Sequence, residues 1–162
     1  MQLHPNVRAV QEALDAAGAR DAEGRPCRIR LLPEAVHTAA AAAAALGVHV
    51  GQIANSLVFD ADGEPLLVLT SGAHRADPAR LAAATGARKV RRADPDFVRE
   101  HTGQPIGGVA PLGHPKPLPT LVDTTLAGHR EIWAAGGVPR AVFATTYEEL
   151  VRVTNGRPVA VA

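Results

Sequence analysis

The stretch Gly103-Gln104-Pro105-Ile106-Gly107-Gly108-Val109-Ala110-Pro111-Leu112-Gly113-His114-Pro115 constrains this chain most. Glycines and prolines alternate there with small apolar residues, and no Asp, Glu, Lys or Arg interrupts them. Proline fixes φ and removes an N–H donor, while glycine reaches positive φ and lets backbone approach a ligand closely. A segment built this way is a shaped loop whose N–H groups point at a ligand. Such amide arrays stabilise a developing negative charge without any catalytic side chain. A rigid crossover between two strands is the competing reading of the same composition.

The frame around the loop is that of one domain over residues 1–162, since 162 residues at 46% hydrophobic content can bury a substantial core. The formal net charge of +1 creates no strong field, so bulk attraction to nucleic acid or membrane is not indicated. The basic run Arg88-Lys89-Val90-Arg91-Arg92 is the one local patch, and by itself it reads as a solvated helix-to-strand connection. The single Cys27 excludes an internal disulfide framework and a multi-cysteine metal site; it reads as a half-buried, inert thiol. His4 and Pro5 come too early for a signal peptide, and the apolar run Ala39–Leu46 is too short to span a bilayer. The expectation is a cytoplasmic protein that does not engage the membrane.

Local patterns supply the elements. Val7, Val10, Leu14 and Ala17 recur at helical spacing before Gly18. Residues 28–32 alternate as a strand, and Thr38 caps an alanine-rich helix that Gly47 ends. Residues 53–59 and 65–69 form a hairpin around an Asp-Gly turn. Asp77-Pro78 and Asp94-Pro95 each start a helix as N-cap and first-turn proline. Strands are predicted at 89–91, 120–123, 131–133 and 140–144, and Thr146 with Glu149 has capping-box spacing before a last helix. One hairpin, short helices and a large central loop imply an α/β (α+β) fold. Its core is a mixed, mostly antiparallel curved sheet surrounded by helices.

No Gly-x-Ser-x-Gly elbow, Walker loop or His-Glu-x-x-His pair is present, and the histidines lack metal-ligand spacing. No cofactor or metal is expected. His114 follows the glycine loop, where an imidazole orients water or a ribose hydroxyl, or else bonds a nearby carbonyl. Asn55 sits inside an apolar strand, so its amide needs a partner. Asp123 ends an apolar strand and reads as a buried carboxylate bracing the glycine loop. Ser71 and Gly72 follow the second hairpin strand as cleft lining or as a plain turn. Trp133 and Phe143 read as core.

Taken in order, Gln52-Ile53-Ala54-Asn55-Ser56-Leu57-Val58-Phe59, Leu66–Gly72, the Gly107-x-x-x-Pro111 loop with Gly113, Leu118-Pro119-Thr120-Leu121-Val122-Asp123 and Glu131–Gly137 resemble the YbaK/EbsC family. These are aminoacyl-tRNA deacylases related to the editing domain of bacterial prolyl-tRNA synthetases, and the resemblance runs from about Pro5 to Pro158. It implies a YbaK-like fold and hydrolysis of mischarged aminoacyl-tRNA. Gly107, Gly108, His114 and Asn55 would be catalytic, and Ser56, Ser71, Gly72, Val109, Ala110, Pro111, Gly113 and Asp123 would bind substrate. The implied partners are the 3′ end of an aminoacyl-tRNA and an aminoacyl-tRNA synthetase, with the chain a monomer or homodimer. The family pattern has a lysine where this chain has Asn55. Asparagine donates a neutral bond, about half as strong as a charge-assisted one. The rival reading is therefore a non-catalytic module that binds aminoacyl-adenosine, a tRNA end or a partner. An aminoacyl ester needs only a placed water or ribose hydroxyl and oxyanion stabilisation, which suits a site with no triad. The small side chains facing the loop predict a pocket for alanine, serine or cysteine.

Overall fold

A computed structural model describes residues 3–162. Helix α1 (Pro5–Ala16) buries Val7, Val10 and Leu14 on one face, as their spacing requires. The two-residue strand β1 (Arg30–Leu31) leads to α2 (Ala39–Leu46), where the Thr38 side chain accepts from the Ala41 N–H. The hairpin is β2 (Ala54–Ala61) and β3 (Glu64–Ser71), joined by Asp62 and Gly63, both at positive φ. Then come α3 (Pro78–Thr85), β4 (Val90–Arg92) and α4 (Pro95–Thr102), with Asp77 and Asp94 capping the two helices. After the glycine loop follow β5 (Thr120–Asp123), β6 (Ile132–Ala135), β7 (Ala141–Thr145), α5 (Tyr147–Thr154) and β8 (Arg157–Val159).

The strands form two sheets, of order β1-β7-β6 and β4-β2-β3-β5-β8. β4, β2 and β3 run antiparallel, and β5 and β8 continue the larger sheet in parallel. A parallel bridge between Ile53 and Trp133 links the two sheets where β2 begins. β3 is the central strand. Leu67 and Leu69 join the core shared with Ile132, Phe143, Val10 and Leu150, while Leu66 and Val68 face Leu81 of α3 and Val161. Burial on both faces explains why this strand reads as a continuous apolar run.

Three local readings are corrected. Cys27 is 2% exposed rather than half-buried; its Sγ–H donates to the Ala144 carbonyl, and burial pushes the thiol pKa up. Trp133 is only half-buried and lines a cavity, although Phe143 is fully buried core. Thr146 caps α5 by accepting from the Glu149 N–H, but the Glu149 carboxylate turns away to the Arg20 N–H and to Arg152. The capping box is thus half made.

Candidate functional site

The start of β2, the segment before α2 and the glycine loop converge on one cleft with two adjoining parts. His37, Thr38, Ala39, Asn55, Ser56, Gly107 and Val109 border both parts. The inner part is a small pocket of about 40 Å³, walled by Ala42, Leu46, Ile53 and Trp133. The outer part is a wider hollow of about 520 Å³, walled by Leu57, Phe59, His74, Arg75, Arg92 and Ile106. No carboxylate lines either part among the described residues.

The loop reaches the cleft through Ile106, Val109 and, most closely packed, Gly107. This residue has φ +89°, and a Cβ there would lie 3.3 Å from His37 Nδ1. Two loop amides are consumed internally: Gly108 N–H donates to the Pro105 carbonyl at 2.9 Å and Ala110 N–H to Gln104 Oε1 at 2.8 Å. Gly107 and Val109 N–H carry no such bond among the described residues, and both residues border the cleft. Asn55 is half-buried at the same border, and the buried Ser56 Oγ has no hydrogen-bond partner. Unmet donors and acceptors gathered at one concavity are what a polar ligand satisfies.

The other residues singled out by sequence lie elsewhere. His114 Nε2 meets the Ala110 carbonyl at 2.8 Å, and burial lowers its pKa. His114, Pro111 and Gly113 border a separate groove against Ala13 and Ala16 of α1. Ala110 is fully buried, and Gly108 is packed against Val138. Asp123 is fully buried, but it braces the end of β3 rather than the glycine loop, accepting from Ser71 N–H at 2.9 Å. The cause is register: β5 pairs in parallel with β3, Leu69 opposite Val122, so the two strands end side by side. Ser71 and Gly72 lie behind the cleft wall. Ser71 Oγ–H donates to the Gly51 carbonyl and Gly72 N–H to the Ile53 carbonyl, which fixes the turn carrying His74.

No sequence pattern marks His37, His74, Arg75 and Arg92 together as site residues, yet all four line the outer hollow. Only the basic run gave a signal, and only for Arg92. Of that run, Arg88 and Lys89 donate their backbone N–H groups to Asp62 and Arg91 pairs with Asp60. Arg92 instead lies over the Phe59 ring, its guanidinium carbon 5.8 Å from the centroid, at the hollow's edge.

The model of the aminoacyl-tRNA editing domain matches residues 33–153, which include every element that borders the cleft. The chain belongs to this family. A proline–tRNA ligase of Nitratidesulfovibrio vulgaris (strain DP4) is 32% identical over 119 residues, covering 74% of this chain and 20% of the ligase. The chain thus spans about a fifth of the length of that curated relative. The uncharacterised protein YwhH of Bacillus subtilis is 28% identical over 109 residues, covering 67% of this chain and 69% of YwhH. A crystal structure described as a candidate trans-editing enzyme for prolyl-tRNA synthetase superposes with a TM-score of 0.87 at 42% identity, covering 98% of this chain and 97% of that one. Editing domains act on aminoacyl-tRNA, and in this member the two-part cleft gathers Asn55, the unmet Ser56 Oγ, Gly107 and Val109 at one border.

Proposed function

We propose that the protein is a trans-editing hydrolase that removes a small, incorrect amino acid from a tRNA of the proline system. The observation that carries this reading is the division of the cleft. A compact apolar pocket adjoins a wide hollow rimmed by Arg75 and Arg92, with the free Gly107 and Val109 amides at their junction.

An aminoacyl ester matches that division. The amino-acid side chain enters the small pocket, the terminal adenosine and its phosphates occupy the cationic hollow, and the scissile carbonyl lies between them. The carbonyl oxygen takes the Gly107 and Val109 N–H groups, which offer it dipoles fixed before the reaction begins. Asn55 and Ser56 Oγ bond the aminoacyl group or the terminal ribose. Arg75 and Arg92 meet phosphates, a contact that positions the tRNA end without reading its sequence. The tie to proline rests on the relatives, whose names link them to prolyl-tRNA synthetase.

The test is deacylation of proline tRNA charged with alanine, serine or cysteine, with prolyl-tRNA as control. Clearance of a mischarged species well above the spontaneous rate, with prolyl-tRNA spared, supports the reading. A spontaneous rate for every mischarged species sinks it. Asn55 favours one second reading, a non-catalytic module, because the cleft's junction lacks the positive charge of a lysine. Tight binding of the same tRNAs without turnover would support that module.

A further inference from the structure

We propose that His74, held by the buried carboxylate of Asp123, is the proton acceptor of this cleft. The inference rests on the editing reading and names a catalytic side chain for it. His74 Nε2 lies 2.5 Å from Asp123 Oδ2, although 49 positions separate the residues. Asp123 is fully buried, while the His74 side chain is 28% exposed at the outer hollow.

The carboxylate is committed on both oxygens. Oδ2 accepts the Ser71 N–H at 2.9 Å, and Oδ1 accepts the Thr125 N–H at 2.9 Å. It therefore acts as an acceptor toward His74, so Nε2 carries the proton and the lone pair resides on Nδ1. The turn beneath His74 is pinned by the Ser71 and Gly72 bonds, which fixes the ring's base on rigid backbone.

The remaining lining leaves little else to do this work. Asn55 and Ser56 are not bases near neutral pH, and Arg75 and Arg92 stay protonated. His37, in the segment before α2, is the other titratable group facing the hollow; it is exposed and has no orienting carboxylate among the described residues. A base fixed by a third group is the arrangement that general-base catalysis uses.

The step balances without a further reactant. Water gives one proton to His74 Nδ1 as its oxygen bonds to the ester carbonyl carbon, and the carbonyl π pair moves to the oxygen facing Gly107 and Val109. Collapse breaks the bond from carbon to ribose oxygen, and the imidazolium proton passes to that oxygen as it leaves. Asp123 is a positioning residue: it keeps the tautomer and never accepts the proton.

Single-turnover deacylation of alanyl-tRNA of the proline type, followed from pH 5 to pH 9, tests the assignment. His74→Ala and His74→Gln should lose about 100-fold or more in rate with tRNA affinity unchanged, the usual size of a general-base contribution. The acid limb of the wild-type profile should vanish in His74→Gln. Asp123→Asn should slow the rate at unchanged affinity; if it does not fold, the partly exposed His74 variants, checked by thermal melting, decide alone. An active wild type with His74 variants of equal rate overturns the assignment and leaves the editing reading standing. A limb that persists in His74→Gln also overturns it. A wild type inert on every mischarged tRNA overturns both.

Discussion

Gly108 lies directly against the backbone of Val138: a Cβ on Gly108 would stand 2.7 Å from both the Cα and the carbonyl carbon of Val138. Val138 belongs to the β6–β7 connection, and its carbonyl accepts the Ala141 N–H at 3.0 Å, which closes that turn. The glycine loop is therefore docked on the smaller sheet, and the docking aims Gly107 at the cleft. Gly108→Ala should destabilise the fold by about 1–3 kcal/mol, the cost of overpacking a site that cannot yield. A lower melting temperature and a matching loss of deacylation are expected. An unchanged melting point would show that the loop lifts freely from Val138.

Asn55 can be judged by substitution in both directions. If its amide donates one neutral hydrogen bond to substrate, Asn55→Ala should lower kcat/KM about 3- to 10-fold, the equivalent of roughly 1 kcal/mol. Asn55→Lys should keep or raise activity. A wild type that is inert while Asn55→Lys deacylates would establish the non-catalytic module instead.

Local signals were legible where a residue acts on its immediate neighbours. The caps Thr38, Asp77 and Asp94 and the Asp62-Gly63 turn were all readable, since each side chain meets backbone within three positions or sets φ directly. β8 was not readable: its three residues, two of them exposed, become a strand only by lying along the edge of β5. The same division runs through the site. Asn55 and Gly107 were legible, one as a polar residue in an apolar strand and one by loop composition. His74 and His37 were not, because an isolated loop histidine carries no pattern. Asp123 was readable as buried, but its partner depended on the parallel register of β5 against β3.

The rim arginines should act on binding alone. Arg75→Gln and Arg92→Gln are each expected to raise KM several-fold with kcat nearly unchanged, because a phosphate contact persists equally in ground and transition states. The wild-type affinity should fall as salt rises, and each substitution should flatten that slope. A drop in kcat with KM intact would move these arginines from the phosphates to the reacting ester.

His114 is expected to affect acid stability rather than turnover. Burial lowers its folded pKa below the ordinary value of 6.5. The unfolded chain then binds the proton more readily, so the contribution is complete above about pH 6.5 and is lost as pH falls below it. His114→Gln should flatten the decline in melting temperature between pH 7 and pH 5. Deacylation at neutral pH should stay near wild type, since His114 borders the groove against α1 and not the cleft.

Ala42 sets the depth of the small pocket. It is 7% exposed on α2 and shares the wall with Leu46, Ile53 and Trp133. The pocket holds only about 40 Å³, so the three added carbons of Ala42→Leu would fill most of it. Each methylene of mismatch in an apolar pocket is worth about 1–3 kcal/mol in discrimination. Ala42→Leu should therefore abolish clearance of cysteinyl- and seryl-tRNA before that of alanyl-tRNA, whereas Trp133→Leu, which removes ring bulk from the pocket lining, should admit larger residues. Competition between the charged tRNAs in one reaction reads the ratio directly. An unchanged ratio in both variants would mean that the amino-acid side chain does not enter this pocket.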